Sequence, residues 1–244
     1  MKTTRRTLLS HASVAPLGFL LPTVACATNS VGSTGQPDPA TAMTEFAPVP
    51  LPFDPTTLPG LSETLLRSHH ENNYTGAVKK LNAARSQLQQ LPADGPGFVL
   101  GGLAKSELAF NHSVALHELY FGNLTGGGSK GSSTRQLLAD HFGGDAAWEA
   151  RFRALARSLG GGSGWAILEF DLQEMAPRMY IAGDHTQGLS TGIPLLVLDM
   201  YEHSYHMDYG TAAARYTDAF FANVHWEEVD RRTEQAQKIV TLLR

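Results

Sequence analysis

Four side chains in the sequence have the types that bind a redox-active metal. Asp199 follows the apolar run 193–198, and His203 comes four residues later. A strand of that composition is expected to be buried, and a buried carboxylate is costly unless it is paired or bound to a metal. Upstream, His69 and His112 fall within helical patterns. Any one of these histidines alone is more simply a buried residue with a hydrogen-bond partner. Together, three imidazoles and one carboxylate suit iron or manganese as well as zinc.

Two stretches with helical periodicity contain the upstream histidines. Apolar and small residues recur at three- and four-residue spacing over 62–90, and a second such pattern covers 98–120. The stripe of the second helix consists of Leu108, His112, Ala115 and Leu119. Because a short turn separates the two stretches, we expect an antiparallel hairpin that places His69 and His112 opposite each other. His117 is expected to point elsewhere, at the surface or behind the ligands.

The rest of the chain has a mixed helix and strand pattern. The glycine-rich stretch 126–131 separates it from the hairpin, and no strand precedes this stretch as a phosphate-binding loop would require. Helices are predicted at 133–142, 145–158, 212–223 and 226–243, and strands at 165–171, 178–183 and 195–201. Tight connections favour an antiparallel sheet. The predicted fold class is α+β, with an N-terminal α-helical hairpin domain over 48–125 and a C-terminal α/β domain with a three-stranded antiparallel sheet over 126–244.

Residues 1–27 have the features of an export signal. Arg5 and Arg6 precede a mildly apolar run that is too short to cross a membrane and ends in Ala25-Cys26-Ala27, a small-residue cleavage site. The arginine pair resembles the bacterial twin-arginine signal. A general secretory peptide and a lipid anchor on Cys26 are the alternatives. The sequence therefore predicts a periplasmic or secreted protein, with a flexible linker over 28–47.

Composition and charge exclude several classes of partner. The 244 residues are 42% hydrophobic and 17% charged, which is typical of a soluble globular chain. The formal net charge is −4, and removing residues 1–27 would make the chain more acidic, because that segment holds basic residues and no acid. We therefore expect neither nucleic acid as a partner nor stable membrane insertion. The single cysteine, Cys26, allows no disulfide within the chain.

A series of short motifs resembles the iron/manganese superoxide dismutase family. They occur in the order of that family and cover roughly residues 48–235. The motifs are Leu51-Pro-Phe53, Ser68-His-His70 with Lys80-Leu-Asn82, Asn111-His-Ser113, Gly162-Ser-Gly-Trp165, Ile193-Pro-Leu-Leu196, Asp199-x-x-Glu-His203 and Val224-His-Trp-Glu227. The resemblance implies one iron or manganese ion per subunit, between the two domains, with His69, His112, Asp199 and His203 as its ligands.

The resemblance also implies roles for residues around the metal. Members of the family hydrogen-bond the metal-bound solvent through a glutamine four residues before the second histidine ligand, or through a glutamine or histidine in the loop before the last strand. The first position is assigned here to Leu108, which cannot do this. His185 is therefore the preferred solvent partner and Gln187 the alternative, while an exposed loop residue is the simpler interpretation of His185.

Other positions depart from the family around the substrate pocket. The tyrosine that commonly guards the pocket is replaced by Ala77, so either Tyr74 or Tyr205 substitutes for it or the site is more open. The resemblance implies a homodimer in which Glu202 orients the last ligand of the other subunit. Two further residues are expected near that interface: Asn73 and His206.

The function implied by the resemblance is superoxide dismutation, which converts superoxide to dioxygen and hydrogen peroxide. Two alternatives keep the metal but not the dismutase activity. One is peroxide or hydrolytic turnover at a more open site. The other is an exported metal-binding protein on a dismutase scaffold with weak or no dismutase activity.

Overall fold

The N-terminal part of the fold is a pair of long helices. The computed structural model describes residues 45–188 and 191–243. Helix α1 (Glu63–Ser68), a π-helical segment (His69–Tyr74) and helix α2 (Thr75–Gln90) follow one another without a break. After the turn at 91–96, helix α3 (Gly97–Gly122) packs along α2. The predicted hairpin is therefore present.

The buried face of α3 differs from the predicted stripe. Leu108 is 41% exposed, and the other members of that stripe are only half-buried. The residues that face the core are Ser113, Val114, Leu116, His117, Tyr120 and Phe121. The helical period was predicted correctly, but the stripe was assigned about one residue out of phase, which is roughly 100° around a helix.

The C-terminal part of the fold places helices around a small sheet. Its elements are α4 (Ser132–Phe142), α5 (Asp145–Ser158), β1 (Trp165–Asp171), β2 (Ala176–Ala182), β3 (Gly192–Asp199), a 3-10 helix (Glu202–Ser204), α6 (His206–Tyr209), α7 (Ala213–Ala222) and α8 (Trp226–Leu243). The strands run antiparallel in the order β2-β1-β3. All residues of the central strand β1 are buried, and its Trp165 pairs with Asp199. The α+β class with a three-stranded antiparallel sheet is confirmed.

The end of α3 is fixed to the sheet by Asn123, a fully buried amide. Its side-chain oxygen accepts the N–H of Val197 in β3 at 3.0 Å, and its backbone carbonyl accepts the N–H of His225 at 2.7 Å. These bonds hold the C-terminal end of α3 beside the strand that ends at Asp199. The division of the folded part into two domains near residue 125 stays a prediction.

The segment just before the helices lies along the hairpin. Phe46 exchanges two backbone hydrogen bonds with the side-chain amide of Asn82, and the N–H of Val49 donates to the hydroxyl of Tyr74 at 2.8 Å. The predicted signal over 1–27 and most of the predicted linker lie outside the described residues. Within residues 45–188 and 191–243, no helix combines the length and apolar character that a membrane span requires.

Candidate metal centre

Three imidazoles and one carboxylate meet in the interior, where the helical hairpin faces the end of the sheet. Their ligand atoms all lie within 4.8 Å of one another. The residues are His69 at the start of the π-helical segment, His117 in α3, Asp199 at the end of β3 and His203 in the 3-10 helix. The structure thus brings together three of the four residues predicted to bind the metal, with His117 in the place of His112.

Asp199 presents one carboxylate oxygen to all three imidazoles. Its side chain is fully buried, and Oδ1 accepts the N–H of Tyr201 at 2.8 Å. Oδ2 lies 3.1 Å from Nε2 of His69, 3.3 Å from Nε2 of His203 and 3.7 Å from Nε2 of His117. Burial raises the pKa of Asp199, but the imidazoles of His203 and His69 outweigh it and hold the pKa below its usual range. The carboxyl group is therefore ionised.

His117 is held in one tautomer by its own helix. Its Nδ1–H donates to the backbone carbonyl of Ser113 at 2.6 Å. Burial lowers the pKa of His117 to about 3, with help from the neighbouring His69, so the ring is neutral near pH 7. A neutral ring with its proton on Nδ1 has a lone pair on Nε2. That lone pair faces the Oδ2 of Asp199, and two electron-rich atoms at this distance need a cation between them.

His69 lies at the start of the π-helical segment. π-Helical turns within α-helices occur frequently at functional sites. The imidazole is 1% exposed, and burial lowers its pKa. Its ring centroid is 4.8 Å from that of His203 and 5.1 Å from that of His117. The ring is thus surrounded by the other members of the cluster.

The cluster fits a metal ion and is poorly explained without one. The atoms that point to its centre have no hydrogen-bond partner among the described residues. They are Nε2 of His69, His117 and His203, and Oδ2 of Asp199. Leaving a buried donor or acceptor unsatisfied costs about 1–3 kcal/mol, and more for a charged group. Three nitrogens and one anionic oxygen are the donor types that iron and manganese accept.

His112 has a different role from the one predicted. It precedes His117 by five residues, or about 7.5 Å along the axis of α3, and its ring is half-buried. Its Nδ1–H donates to the backbone carbonyl of His185 at 2.8 Å. The assignment of His112 as a ligand, implied by the motif Asn111-His-Ser113 and supported by the predicted stripe, is wrong because His117 is the imidazole of α3 that faces the cluster. Ser113, Leu116, His117 and Tyr120 have the three- and four-residue spacing of one helix face. The predicted stripe has the same spacing, so spacing alone did not single out His117.

His185 lies beside the cluster of three imidazoles and one carboxylate. Its ring centroid is 6.3 Å from that of His117, and it stacks on Tyr201 at 4.9 Å with an interplanar angle of 13°. The indole N–H of Trp165 donates to its Nδ1 at 3.0 Å. Burial lowers the pKa of His185, so its ring is neutral with the proton on Nε2. Gln187 is exposed and instead accepts the N–H of Gly183 at 2.8 Å.

Once His117 is identified in the cluster, the position four residues before it is Ser113, not Leu108. Ser113 is buried in the wall of a pocket that reaches the cluster. This pocket has a volume of about 180 Å³. Its lining residues are Asn72, Asn73, Gly76, Ala77, Lys80, Phe110, Ser113, His117, His185 and His203.

Neither of the tyrosines considered as replacements at position 77 lines this pocket. The hydroxyl of Tyr74 donates to Glu118 at 2.7 Å and accepts the N–H of Val49, although its ring is near His117. Tyr205 is 1% exposed and stacks on Tyr216. Ala77 itself lines the pocket, so of the two hypotheses the more open site agrees with the geometry.

The residues assigned to a subunit interface lie close in sequence to ligands of the candidate metal centre or line its pocket. Glu202, the first residue of the 3-10 helix that carries His203, and His206, the first residue of α6, are both exposed. Asn73 is half-buried in the pocket wall. The ring of His203 is partly exposed, and its Nδ1 has no hydrogen bond among the residues that the structure describes.

Comparison with known proteins agrees with this geometry. Residues 130–232 match the family described as iron/manganese superoxide dismutases, C-terminal domain. The chain is 47% identical over 184 residues to an iron superoxide dismutase of Cupriavidus metallidurans, covering 75% of this chain and 93% of the relative. It is 36% identical to an iron superoxide dismutase of Aquifex pyrophilus over 78% of this chain and 92% of the relative. It is 33% identical to manganese superoxide dismutase 1 of Haloferax volcanii over 81% of this chain and 99% of the relative. The chain belongs to the iron/manganese superoxide dismutase family.

Proposed function

We propose that this protein is a superoxide dismutase that converts superoxide to dioxygen and hydrogen peroxide with one iron or manganese ion per subunit. The observation that carries this is the convergence of four partnerless donor atoms in the interior. His69, His117, Asp199 and His203 would hold the ion. Relatives named as iron and as manganese enzymes both match this chain, and the donor set accepts either metal.

The protein supplies binding and proton control around the ion. The ion, when bound, changes between two oxidation states and so exchanges electrons with superoxide. Asp199 contributes the negative charge, while the hydrogen bond to Ser113 keeps the Nε2 of His117 free of a proton. Forming hydrogen peroxide from superoxide consumes protons, and His185 lies in the pocket wall where it can donate one hydrogen bond from Nε2. Trp165 fixes that tautomer because it occupies Nδ1.

The test is superoxide dismutation by the purified protein, loaded separately with iron and with manganese. Metal content is measured on the same samples. We expect activity with at least one metal and its loss in the His203→Ala variant. A full complement of metal with no dismutation in either form would contradict the proposal and leave a metal-binding protein. The described residues contain no feature that favours this alternative over the enzyme.

His185 is proposed as the residue that hydrogen-bonds the metal-bound solvent. Its position beside His117 supports this assignment. We expect His185→Phe to lower dismutation and shift its pH profile while metal content is kept. The matched control is Gln187→Ala, since Gln187 bonds its own loop. An unchanged pH profile in His185→Phe would contradict this role.

We propose that the protein forms a homodimer through the surface that carries Glu202. A metal-bound histidine usually donates its second ring N–H to a carboxylate or carbonyl, and His203 has no such partner within the described chain. Glu202 of a second copy could supply it, with Asn73 and His206 nearby. Light scattering should then give twice the mass of one chain, and Glu202→Ala should weaken both the dimer and metal retention. A monomer with full metal content would contradict this.

We also propose that the protein is exported to the periplasm or the medium by a twin-arginine signal over 1–27. Support comes from the sequence: an arginine pair, a short apolar run and a small-residue cleavage site. Fractionation of bacterial cells should find the parent outside the cytoplasm and a variant with Arg5→Lys and Arg6→Lys inside it. Continued export of that variant would indicate the general secretory route instead.

A further inference from the structure

We propose that Lys80 is the residue that draws the anionic substrate into the pocket and so raises the rate at which superoxide reaches the metal. This inference rests on the proposed function. Lys80 is exposed and lines the pocket that also contains His117, His185 and His203. Superoxide carries one negative charge, so a cation on its path to the cluster increases the frequency of productive encounters.

The lining of the pocket favours a small anion. Apart from its three histidines, it contains two side-chain amides, from Asn72 and Asn73, and one hydroxyl, from Ser113. Lys80 is the one lysine or arginine among the described lining residues, and none of them is a carboxylate. An anion therefore meets no like charge along these walls before it approaches the cluster.

The ammonium group of Lys80 lies over an aromatic ring and is not neutralised by a carboxylate of the described residues. Its Nζ lies over the ring of Phe110, 5.7 Å from the ring centroid, and Phe110 also lines the pocket. A cation over an aromatic face is attracted to it without losing its charge. Within the described part of the chain, Lys80 has no carboxylate within the 4.0 Å of an ion pair. The ammonium group thus stays available beside the pocket, near the ring of Phe110.

Two small residues keep the pocket open beside Lys80. Ala77 stands where a larger aromatic residue is common in the family, and a methyl group built on Gly76 would meet no atom within 4 Å. No bulky side chain at these two positions narrows the approach, so the charge of Lys80 is not shielded by a larger neighbour there.

The expected effect is modest and depends on salt. One unit charge about 10 Å from another in water changes their attraction enough for about a twofold change in encounter rate. In a pocket with low-dielectric walls the effect is larger, so we expect a two- to fivefold loss for Lys80→Gln at low ionic strength. At high salt the Debye length falls to about 3 Å, and the difference should vanish.

The experiment compares the metal-loaded full chain with Lys80→Gln, Lys80→Met, Lys80→Glu and the control Lys79→Gln. Lys79 is also exposed but is not among the residues that line the pocket. The first readout is kcat/KM for superoxide as a function of ionic strength. The second is the affinity for azide, a monoanion, measured from the absorbance of the metal centre without turnover. Metal content and the unfolding midpoint are checked for every variant.

We expect Lys80→Gln and Lys80→Met to lower kcat/KM and azide affinity and to flatten their salt dependence, with a larger loss in Lys80→Glu and none in Lys79→Gln. Variants of Lys80 that match the parent in both readouts at every ionic strength would overturn the proposal. If azide affinity changes as expected but no protein dismutates superoxide, the proposed function fails while the role of Lys80 in anion attraction stands.

Discussion

Replacing His117 by alanine should remove the metal, whereas replacing His112 should leave it in place. The first change deletes one of four converging donor atoms and exposes the Oδ2 of Asp199 on one side. Loss of a partner that only orients a ligand typically costs 10–100-fold in metal affinity, so loss of a direct donor should cost at least about 100-fold. At a fixed excess of metal, that removes about 2.7 kcal/mol of binding-linked stability. For a chain of this length the unfolding midpoint should fall by about 5–11 °C.

The matched control is His112→Ala on the same helix. It deletes one hydrogen bond to the carbonyl of His185, which is worth about 0.5–1.5 kcal/mol. Its metal content should equal that of the parent. Both variants are assayed by elemental analysis and thermal unfolding, with and without a chelator.

The chelated proteins provide the sharper comparison. Without metal, the Nε2 of His117 and the Oδ2 of Asp199 face each other as two acceptors with no proton between them. The His117→Ala variant should then lose its disadvantage, apart from the cost of the cavity. A His112→Ala protein without metal, together with a metal-replete His117→Ala protein, would refute this account of the centre.

Three further predictions concern the surroundings of the site. Tyr74→Phe should cost about 1–3 kcal/mol of stability, measured by chemical denaturation, because two hydrogen bonds to its hydroxyl are lost. Burial raises the pKa of Tyr74 to about 12, so above pH 10 the unfolded chain loses this proton before the folded chain does. The free energy of unfolding of the parent should therefore fall by up to about 1.4 kcal/mol per pH unit between pH 10 and 12. That of the variant should fall less. Arg178→Ala should cost about 3 kcal/mol by denaturation, because it leaves the fully buried Glu169 carboxylate without its cation, while the exposed Arg151→Ala should cost less than about 0.5 kcal/mol. Ala77→Tyr should lower azide affinity by filling the pocket, and unchanged turnover and azide affinity would place position 77 outside the substrate path.

The sheet and the helical hairpin could be predicted from local patterns. Strand β1 was placed correctly because its flanking turns and its apolar content both limit it to a few residues. The predicted ends of β2 and β3 differ from the observed ends by one to three residues. Because proline is disfavoured inside a strand, the prediction started each strand after its proline, whereas Pro177 and Pro194 lie within the observed strands. Such errors at strand ends do not alter the class of fold.

Site residues that are close together in sequence could be predicted, whereas a residue placed by long-range packing could not. Asp199 and His203 lie on one strand and the turn after it, so their spacing alone brings them together. His117 depends on the rotation of a 26-residue helix, and the phase of that helix is set by its contacts with α2 and β3 rather than by its own sequence pattern. The hydropathy of α3 hardly varies around its axis, because apolar and small residues surround it, so periodicity could not locate its buried face.

The geometry of α3 explains why His112, which was wrongly predicted to bind the metal, still lies near the site. His112 and His117 lie five residues apart on α3, which separates their side chains by about 140°. The imidazole of His117 therefore joins the candidate metal centre, while that of His112 reaches the backbone of the loop that carries His185. A single rigid helix thereby sets the distance between a metal ligand and the proposed solvent partner. Any change that rotates α3 should disturb metal retention and the pH profile of dismutation together, whereas a change confined to the 183–188 loop should affect only the pH profile.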